Sequence, residues 1–352
     1  MASSPSSSRK MRNFPSIEQY RQVIQSVKHD VSYLGKDAEG KNQYSHSPSF
    51  PTIEFKGTIK LHGTNASLGF GADGERWYQS RNCIITPEND NHGFATFCES
   101  HKSLFEDLYA QVAREVGAHH SVVLYGEWCG GNVQSGVAIT GLPKMYVIFG
   151  VKVFLTEDTE VWLHTYDRVL QFSRDEGVYL VTDFWNWTLP IDFENPKLVQ
   201  NLLGEITAKV EEECPVGKFF GRVKGTDNTT GEGVVWVGEH EGTTYHFKVK
   251  GKLHSVSKVK TLAAVDVEKL ESINEFVKYA VTENRLDQGI REVNGVDAPD
   301  IKKTGQFVSW VISDIIKEES DVLSTYGFSP KDVGKAVRTA ASKYYTKKCN
   351  RE

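Results

Sequence analysis

Residues 53–65 read IEFKGTIKLHGTN, and this stretch indicates both the fold class and the place of a reactive site. Residues 53–61 are rich in β-branched and aromatic side chains, which is typical of a β-strand. The His-Gly-Thr-Asn segment that follows Leu61 has the composition of a turn, and a second predicted strand begins at residue 66. Lys60 therefore lies at the end of a strand, beside a turn in which Gly63 permits a ligand to approach the backbone closely.

Lys60 allows two interpretations when this segment is taken alone. It is either a surface lysine before a hairpin turn or a covalent nucleophile. A lysine is nucleophilic only as the free amine, so a nucleophilic lysine needs a pKa well below the ordinary value of about 10.4. Burial and neighbouring cations lower the pKa in this way, so the interpretation depends on which residues surround Lys60.

Lys248, Lys250 and Glu232, which lie much later in the chain, are the candidates for the residues that surround Lys60. Lys248 and Lys250 are two positions apart in a predicted strand, so both side chains project from the same face. Two cations on one face would lower the pKa of a neighbouring lysine and bind phosphate groups. Glu232 begins an otherwise apolar predicted strand, where an unpaired carboxylate would be costly. We therefore expect Glu232 to have a lysine or a metal ion as its partner.

The pattern along the chain predicts a mixed, mainly antiparallel α+β domain. Strands come both in hairpin-like pairs and separated by helices, which is the basis for this fold class. The clearest helices are predicted over residues 102–116 and 196–213, after a first helix within 13–31. The predicted strands cover residues 53–61, 66–70, 76–80, 122–128, 145–154, 161–164, 233–237 and 244–250.

Beyond residue 260 the pattern changes to helices. Phe307, Val308 and Val311 exemplify apolar residues at helical spacing, and no strand is predicted after residue 259. We predict a disordered tail over residues 1–13, a catalytic α+β domain over 14–260 and a small all-helical domain over 261–352. The boundary is expected near residues 258–265.

Composition narrows the class of protein. Hydrophobic residues make up 39% and charged residues 25% of the chain, which is ordinary for a soluble globular protein. The longest apolar runs are too short to cross a bilayer. The five cysteines include no C-x-x-C pair, so neither a disulfide framework nor a zinc site is predicted. We expect an intracellular protein, cytoplasmic or nuclear, although the Ser-rich, basic start leaves organellar import open.

Six short motifs resemble, in sequence and in their order along the chain, those of the covalent nucleotidyltransferases. This group comprises DNA ligases, RNA ligases and mRNA capping enzymes. The similarity covers about residues 50–260. The His-Gly-Thr-Asn form of the first motif looks like the nick-sealing RNA ligases of the phage double-strand and kinetoplastid editing types. The six segments are KLHGTN from Lys60, SRN from Ser80, YGEW from Tyr125, YVIFGV from Tyr146, EGVV from Glu232 and FKVK from Phe247.

This resemblance implies a mainly antiparallel nucleotidyltransferase (ATP-grasp-like ligase) domain in which Lys60 attacks ATP to form lysyl–AMP. AMP then passes to an RNA 5′-phosphate, and the 3′-OH attacks that end and expels AMP. The implied cofactors are ATP and Mg²⁺, with Mn²⁺ as an alternative. The implied roles are a phosphate contact for Arg81, a ribose contact for Glu127, adenine stacking for Phe149, a metal contact for Glu232, phosphate contacts for Lys248 and Lys250, and places in the nucleotide site for His62, Gly63 and Asn65.

Three competing interpretations remain open. Asn65 stands where DNA ligases usually carry arginine, which counts against DNA joining. His62 stands where capping enzymes have aspartate, which counts against guanylyl transfer to RNA ends. A non-catalytic RNA-binding protein derived from a ligase is the third alternative. Glu127 and Phe149 also have plain structural interpretations, as an exposed acid at the end of a strand and as a core aromatic.

The expected partner is an RNA end, in particular a nick in duplex RNA. The net charge is −5, yet residues 246–260 contain five lysines and no acid, and residues 331–351 contain seven basic residues and one acid. Basic stretches on an acidic protein are typical of polyanion contact confined to one face. We expect a monomer without membrane contact, whose helical C-terminal domain contacts the RNA end or duplex.

Overall fold

The computed structural model describes residues 11–163, 170–174, 176–254, 273–295, 298–325 and 327–350. The strands are β1 (Glu18–Gln19), β2 (Tyr33–Lys36), β3 (Asn42–Tyr44), β4 (Thr52–Lys60), β5 (Thr64–Gly71), β6 (Arg76–Ser80), β7 (Ile84–Ile85), β8 (Ser121–Cys129), β9 (Met145–Phe154), β10 (Glu160–Leu163), β11 (Val178–Leu180), β12 (Asn186–Asp192), β13 (Gly233–His240) and β14 (Thr243–Lys250). The helices are α1 (Tyr20–Ser32), α2 (Phe94–Ser100), α3 (Lys102–Val116), α4 (Gln200–Glu212), α5 (Pro215–Phe219), α6 (Ile273–Ala280), α7 (Glu283–Asn294), α8 (Thr304–Glu318), α9 (Ser320–Thr325) and α10 (Pro330–Cys349).

The chain divides into two compact units, and each is assembled from separate segments. Unit 1 comprises Met1–Ser16, Leu61–Asn186 and Glu213–Gly231. Unit 2 comprises Ile17–Lys60, Trp187–Glu212 and Glu232–Glu352. One division therefore falls directly after Lys60, and another falls directly before Glu232.

Unit 1 is built on one sheet with the strand order β10-β9-β8-β5-β6-β7, to which β11 adds beside β9. The strands on the main path pair antiparallel, and β11 runs parallel to β9. Alternate residues of β5 and β8, such as Leu68 and Leu124, form a buried core with Phe105 and Leu108 of α3. A second cluster contains Trp77, Val123, Tyr125 and Phe154. Side chains on both faces of this sheet therefore take part in packing.

Unit 2 contains a sheet with the order β1-β14-β13-β4-β12 and a small β2–β3 hairpin. β13 pairs antiparallel with both β14 and β4, and β1 runs parallel to β14. Trp236 is fully buried, and its ring occupies the space that a Cβ on Gly57 would need. Glycine at position 57 therefore lets this tryptophan pack directly on β4.

The C-terminal helices α6–α10, also in unit 2, have a core of their own. Phe307 and Val311 of α8 pack with Ile290 of α7 and Val337 of α10. Arg285 of α7 is fully buried and binds Asp314 at 2.8 Å and Glu319 at 2.9 Å. Such a cation is tolerable inside a protein only when it is paired, so these contacts specify how α7 meets α8.

The predicted fold class is confirmed: the structure is α+β with mainly antiparallel sheets, and its C-terminal part is helical. The predicted domain boundary at 258–265 lies outside the described residues, as do residues 1–10 of the predicted tail. Arg12, within that tail, exchanges hydrogen bonds with Gln79, so packed structure begins before residue 14. None of the helices in the described part of the chain combines the length and apolar composition that a bilayer-spanning segment requires.

Candidate active site

Lys60 is the last residue of β4, and its amino group meets a buried carboxylate. Lys60 Nζ lies 2.9 Å from Glu232 Oε2, and the side chains are 21% and 3% exposed. The β-ladder explains the contact, because Lys60 pairs in register with Gly233, the residue that follows Glu232. The two residues are 172 positions apart in the sequence and are brought together by neighbouring strands.

Glu232 is held between two lysines. Its other carboxylate oxygen lies 3.1 Å from Lys250 Nζ, and Lys250 is also a register partner of Gly233. A Cβ on Gly233 would collide with the carbonyl oxygen of Val249, so glycine is required where the strands approach this closely. Burial opposes charge on Lys250, but the Glu232 and Glu318 carboxylates outweigh it and raise the pKa of Lys250 above its ordinary value.

Lys248 has a different partner from Lys250. Lys248 Nζ lies 2.6 Å from Glu318 Oε1, at the C-terminal end of α8. Burial lowers the pKa of Lys248, and the charges of Lys250 and Lys60 lower it further, against the opposing effect of Glu318. Burial alone would raise the pKa of Glu318, but Lys248 and Lys250 outweigh it and bring that pKa to about 2.

Within unit 1, Glu127 on β8 accepts a hydrogen bond from the backbone of the turn after Lys60. The distance from Gly63 N to Glu127 Oε1 is 2.9 Å. A Cβ on Gly63 would collide with the Trp128 carbonyl oxygen, so this close approach also requires glycine. Asn65 on β5 is the direct register partner of Glu127. Glu127 and Asn65 are both half-buried, so their polar groups can still be reached from solvent.

Phe149 lies on β9 where the β8–β9 register shifts. Tyr125 pairs with Gly150 and Gly126 pairs with Ile148, so Phe149 is the extra residue of a β-bulge. Its ring is half-buried and makes an edge contact with Phe14 at 4.9 Å between centroids. The structure therefore places Phe149 at the margin of an aromatic cluster, where it packs on one side and remains partly accessible.

The predicted site residues fall into two groups. Unit 2 brings together Lys60, Glu232 and Lys250, with Lys248 on the same strand as Lys250. Unit 1 brings together Gly63, Glu127 and Asn65. His62 is half-buried between Lys60 and Gly63 in the chain. Arg81 is exposed just after β6, and the described residues include no hydrogen bond from it to the other predicted site residues.

Sequence reasoning missed Glu318. Its segment, Lys317-Glu318-Glu319-Ser320, has the composition of a solvated helix end, yet Glu318 is 7% and Glu319 0% exposed. No motif or spacing links a helix end to a strand 70 residues earlier in the chain. Only the tertiary structure shows that this carboxylate is paired with Lys248.

A divalent metal ion fits this site only if a bound phosphate and water supply most of its ligands. Among the described residues, no group of three or more His, Cys, Asp or Glu side chains is placed so that it could hold a metal ion. Mg²⁺ commonly binds through one or two carboxylates together with substrate phosphates and water, and Glu232 supplies one carboxylate. The donor set is thus consistent with a metal ion that arrives with a phosphate ligand.

The chain matches a known protein family. The RNA ligase family model matches residues 53–260, which is more than half of the chain. Comparison with curated proteins finds no relative.

Similarity to solved structures is more distant. A Naegleria gruberi RNA ligase with PPi is 14% identical, with a TM-score of 0.42 over 71% of this chain and 61% of that one. A mutant of the same ligase with ATP and Mn is 12% identical, with a TM-score of 0.41 over 66% of this chain and 55% of that one. An archaeal ATP-dependent RNA ligase is 12% identical, with a TM-score of 0.38 over 95% of this chain and 65% of that one. The chain thus spans less than two thirds of the length of each. The family match, rather than these likenesses, supports the assignment, and the chain belongs to the RNA ligase family.

Proposed function

We propose that this protein is an ATP-dependent RNA ligase that forms a covalent lysyl–AMP at Lys60 and seals nicks in duplex RNA. The observation that carries the proposal is the contact of Lys60 with the buried Glu232 carboxylate, to which Lys250 is also bound. In a member of the RNA ligase family, this grouping of an amine, a carboxylate and a further cation is suited to phosphoryl chemistry.

The reaction has three steps. In the first, the Lys60 amine attacks the α-phosphorus of ATP, an N–P bond forms, and the bond to the bridging oxygen breaks to release pyrophosphate. The amine proton leaves through the adjacent Glu232 carboxylate to water. In the second, a 5′-phosphate oxygen of the RNA attacks the same phosphorus, the N–P bond breaks, and the Lys60 amine leaves with a proton taken up from water. In the third, the 3′-OH attacks the RNA 5′-phosphorus and expels AMP.

In each step the protein must stabilise the negative charge on the phosphate oxygens. Phosphoryl transfer is promoted mostly by positioning and by cations near the phosphate oxygens. Lys248 and Lys250 are the candidates on β14, and Arg81 is the candidate in unit 1. Mg²⁺ or Mn²⁺ bound with ATP would be held by Glu232 and would neutralise phosphate charge.

The unit 1 residues are assigned to recognition of the nucleoside. Glu127 is proposed to bind the ribose hydroxyl, since carboxylates are strong acceptors for O–H donors. Phe149 is proposed to stack on adenine with the accessible part of its ring. His62, Gly63 and Asn65 are proposed as further nucleotide contacts, because Gly63 donates a hydrogen bond to Glu127, Asn65 is the register partner of Glu127, and His62 precedes Gly63 in the chain.

RNA is proposed to contact the C-terminal helices as well. Lys331, Lys335 and Lys347 of α10 are exposed. Lysines bind backbone phosphate without regard to base sequence, so this contact would weaken with salt. We also propose that the protein acts as a monomer, in the cytoplasm or nucleus, with organellar import as the alternative.

Labelling with nucleotide tests the first step. With α-³²P-ATP the wild-type protein should become radioactive, α-³²P-GTP should label it far less, and Lys60→Ala should abolish labelling. Lys56 lies on the same strand and its side chain is 36% exposed. Lys56→Ala is therefore the matched control and should label normally. A labelled Lys60→Ala protein would contradict the proposal, and preferential labelling by GTP would favour a capping-type activity.

A sealing assay tests the substrate. Nicked duplex RNA, single-stranded RNA, nicked DNA and an RNA–DNA hybrid nick should be compared at equal concentration, and nicked duplex RNA should be sealed fastest. Preference for nicked DNA would replace the proposal with a DNA ligase. Lysyl–AMP formation would exclude a purely RNA-binding protein.

A further inference from the structure

Lys248 is fixed from the C-terminal helices through a chain of buried contacts. Glu318 Oε1 binds Lys248 at 2.6 Å, while Glu318 Oε2 accepts a hydrogen bond from the side-chain amide of Gln19 at 3.2 Å. Gln19 is 2% exposed and is the register partner of Lys248 in the parallel β1–β14 pair. The carboxylate is therefore held in one orientation by two neighbouring strands, and it holds the lysine in turn.

A second set of contacts fixes the end of α8 that carries Glu318. Arg21, at the start of α1, donates to the Glu318 carbonyl oxygen at 3.1 Å and binds Glu319 at 2.9 Å. It also binds Asp321 at 2.6 Å. Arg21 is 6% exposed, so removal of any one of these acceptors leaves a buried cation less well paired.

We propose that Glu318 is a positioning residue for adenylyl transfer, which presents Lys248 as a charged, oriented donor to the phosphates of ATP. This inference rests on the proposed function and deepens it, because it makes the helical C-terminal part a contributor to the first chemical step. The alternative arrangement, in which Glu318 competes with ATP for Lys248, predicts the opposite change in ATP affinity.

The chemistry of the ammonium group favours positioning over competition. An ammonium has three N–H donors, and Glu318 engages it through one oxygen, so donors remain for phosphate. Burial and the cations Lys60 and Lys250 all work against a charge on Lys248, and Glu318 is the carboxylate that counters them. The other charged groups nearby act on these neighbours: Glu232 on Lys60 and Lys250, Asp314 on Lys250, and Arg21 on Glu319.

Glu318→Gln tests the inference, because it keeps the shape and the hydrogen bond to Gln19 while removing the charge. KM for ATP in Lys60 labelling should rise about tenfold with little change in kcat, as expected for the loss of one charge-assisted hydrogen bond. The equilibrium Kd for ATP, measured in a Lys60→Ala background that cannot react, should rise by the same factor. The defect should grow from pH 7 to 9, because Lys248 without its carboxylate loses its proton at lower pH.

Asp321→Asn is the matched control, since it weakens the same Arg21 contacts without touching Lys248. It is expected to lower the stability of the fold, but its ATP KM should stay within about twofold of wild type at every pH, because Glu318 still pairs with Lys248 and Arg21 keeps its contacts with Glu318 and Glu319. If Glu318→Gln does not fold, Glu318→Asp carries the test, and withdrawal of the carboxylate by one carbon should raise KM about threefold.

Several outcomes would overturn the inference: an unchanged or lower ATP KM in the variant that folds, or an equal defect in Asp321→Asn. Failure of wild-type protein to be labelled by ATP would instead refute the proposed function itself. The two failures are therefore distinguishable in a single set of measurements.

Discussion

The two groups of predicted site residues differ in the kind of partner each side chain has. In the described part of unit 2, Lys60, Lys248 and Lys250 each form an ion pair with a buried carboxylate. In unit 1, Glu127 binds a backbone amide and Phe149 packs on another ring. Ion pairs between buried groups respond strongly to the loss of one charge, whereas backbone and ring contacts respond less. The difference predicts that loss of charge from the Lys60–Glu232–Lys250 group lowers the reaction rate, whereas changes in unit 1 alter nucleotide affinity and choice and leave the rate nearly unchanged.

The largest effect is expected from Glu232→Gln in unit 2. This change removes the charge shared by Lys60 and Lys250 while keeping the shape. The single-turnover rate of Lys60 labelling should fall about 100- to 1000-fold, as for other losses of a preorganised electrostatic partner. Glu239→Gln, an exposed change on the same strand, is the control and should label at the wild-type rate. A fall of less than tenfold would show that the carboxylate serves packing rather than rate.

A smaller effect is expected from Glu127→Gln in unit 1. A neutral oxygen can still accept from Gly63 N, but the charge-assisted bond is lost, so ATP KM should rise about tenfold with kcat nearly unchanged. Preference for ATP over 2′-deoxy-ATP should shrink as well, which a purely structural glutamate would not affect. Glu115→Gln, exposed on α3, is the control. A rate defect without loss of ribose preference would break the contrast between the units.

Much of this contrast could be predicted from sequence, because it depends on local pattern. The strand predicted at 145–154 and the helix predicted at 102–116 match β9 and α3 residue for residue. The expectation that Glu232 needs a lysine or a metal ion followed from the cost of an unpaired buried carboxylate, and the structure supplies two lysines. The functional roles of these residues stay predictions.

Other elements could not be predicted, for identifiable reasons. β12 was missed because Pro190 interrupts its sequence, and a proline is accommodated there because β12 is an edge strand. The β2–β3 hairpin was missed because its residues are almost all exposed and show no alternation of buried and exposed positions. Glu318 was missed because its contact with Lys248 depends on how a helix end docks, and no local pattern encodes that.

The smallest effect is expected from Phe149→Leu, and this substitution tests the contrast most finely. Loss of a ring that stacks on adenine should raise ATP KM about threefold and reduce preference for ATP over GTP, in keeping with about 0.5–1.5 kcal/mol for an aromatic pair. If Phe149 only packs against Phe14, the melting temperature should fall and KM should not move. Phe154→Leu is the matched control, because Phe154 is 4% exposed within the same aromatic cluster. It should lower the melting temperature and leave KM unchanged. A Phe149 variant that behaves like the Phe154 variant would assign this ring to the core and leave adenine recognition to other residues.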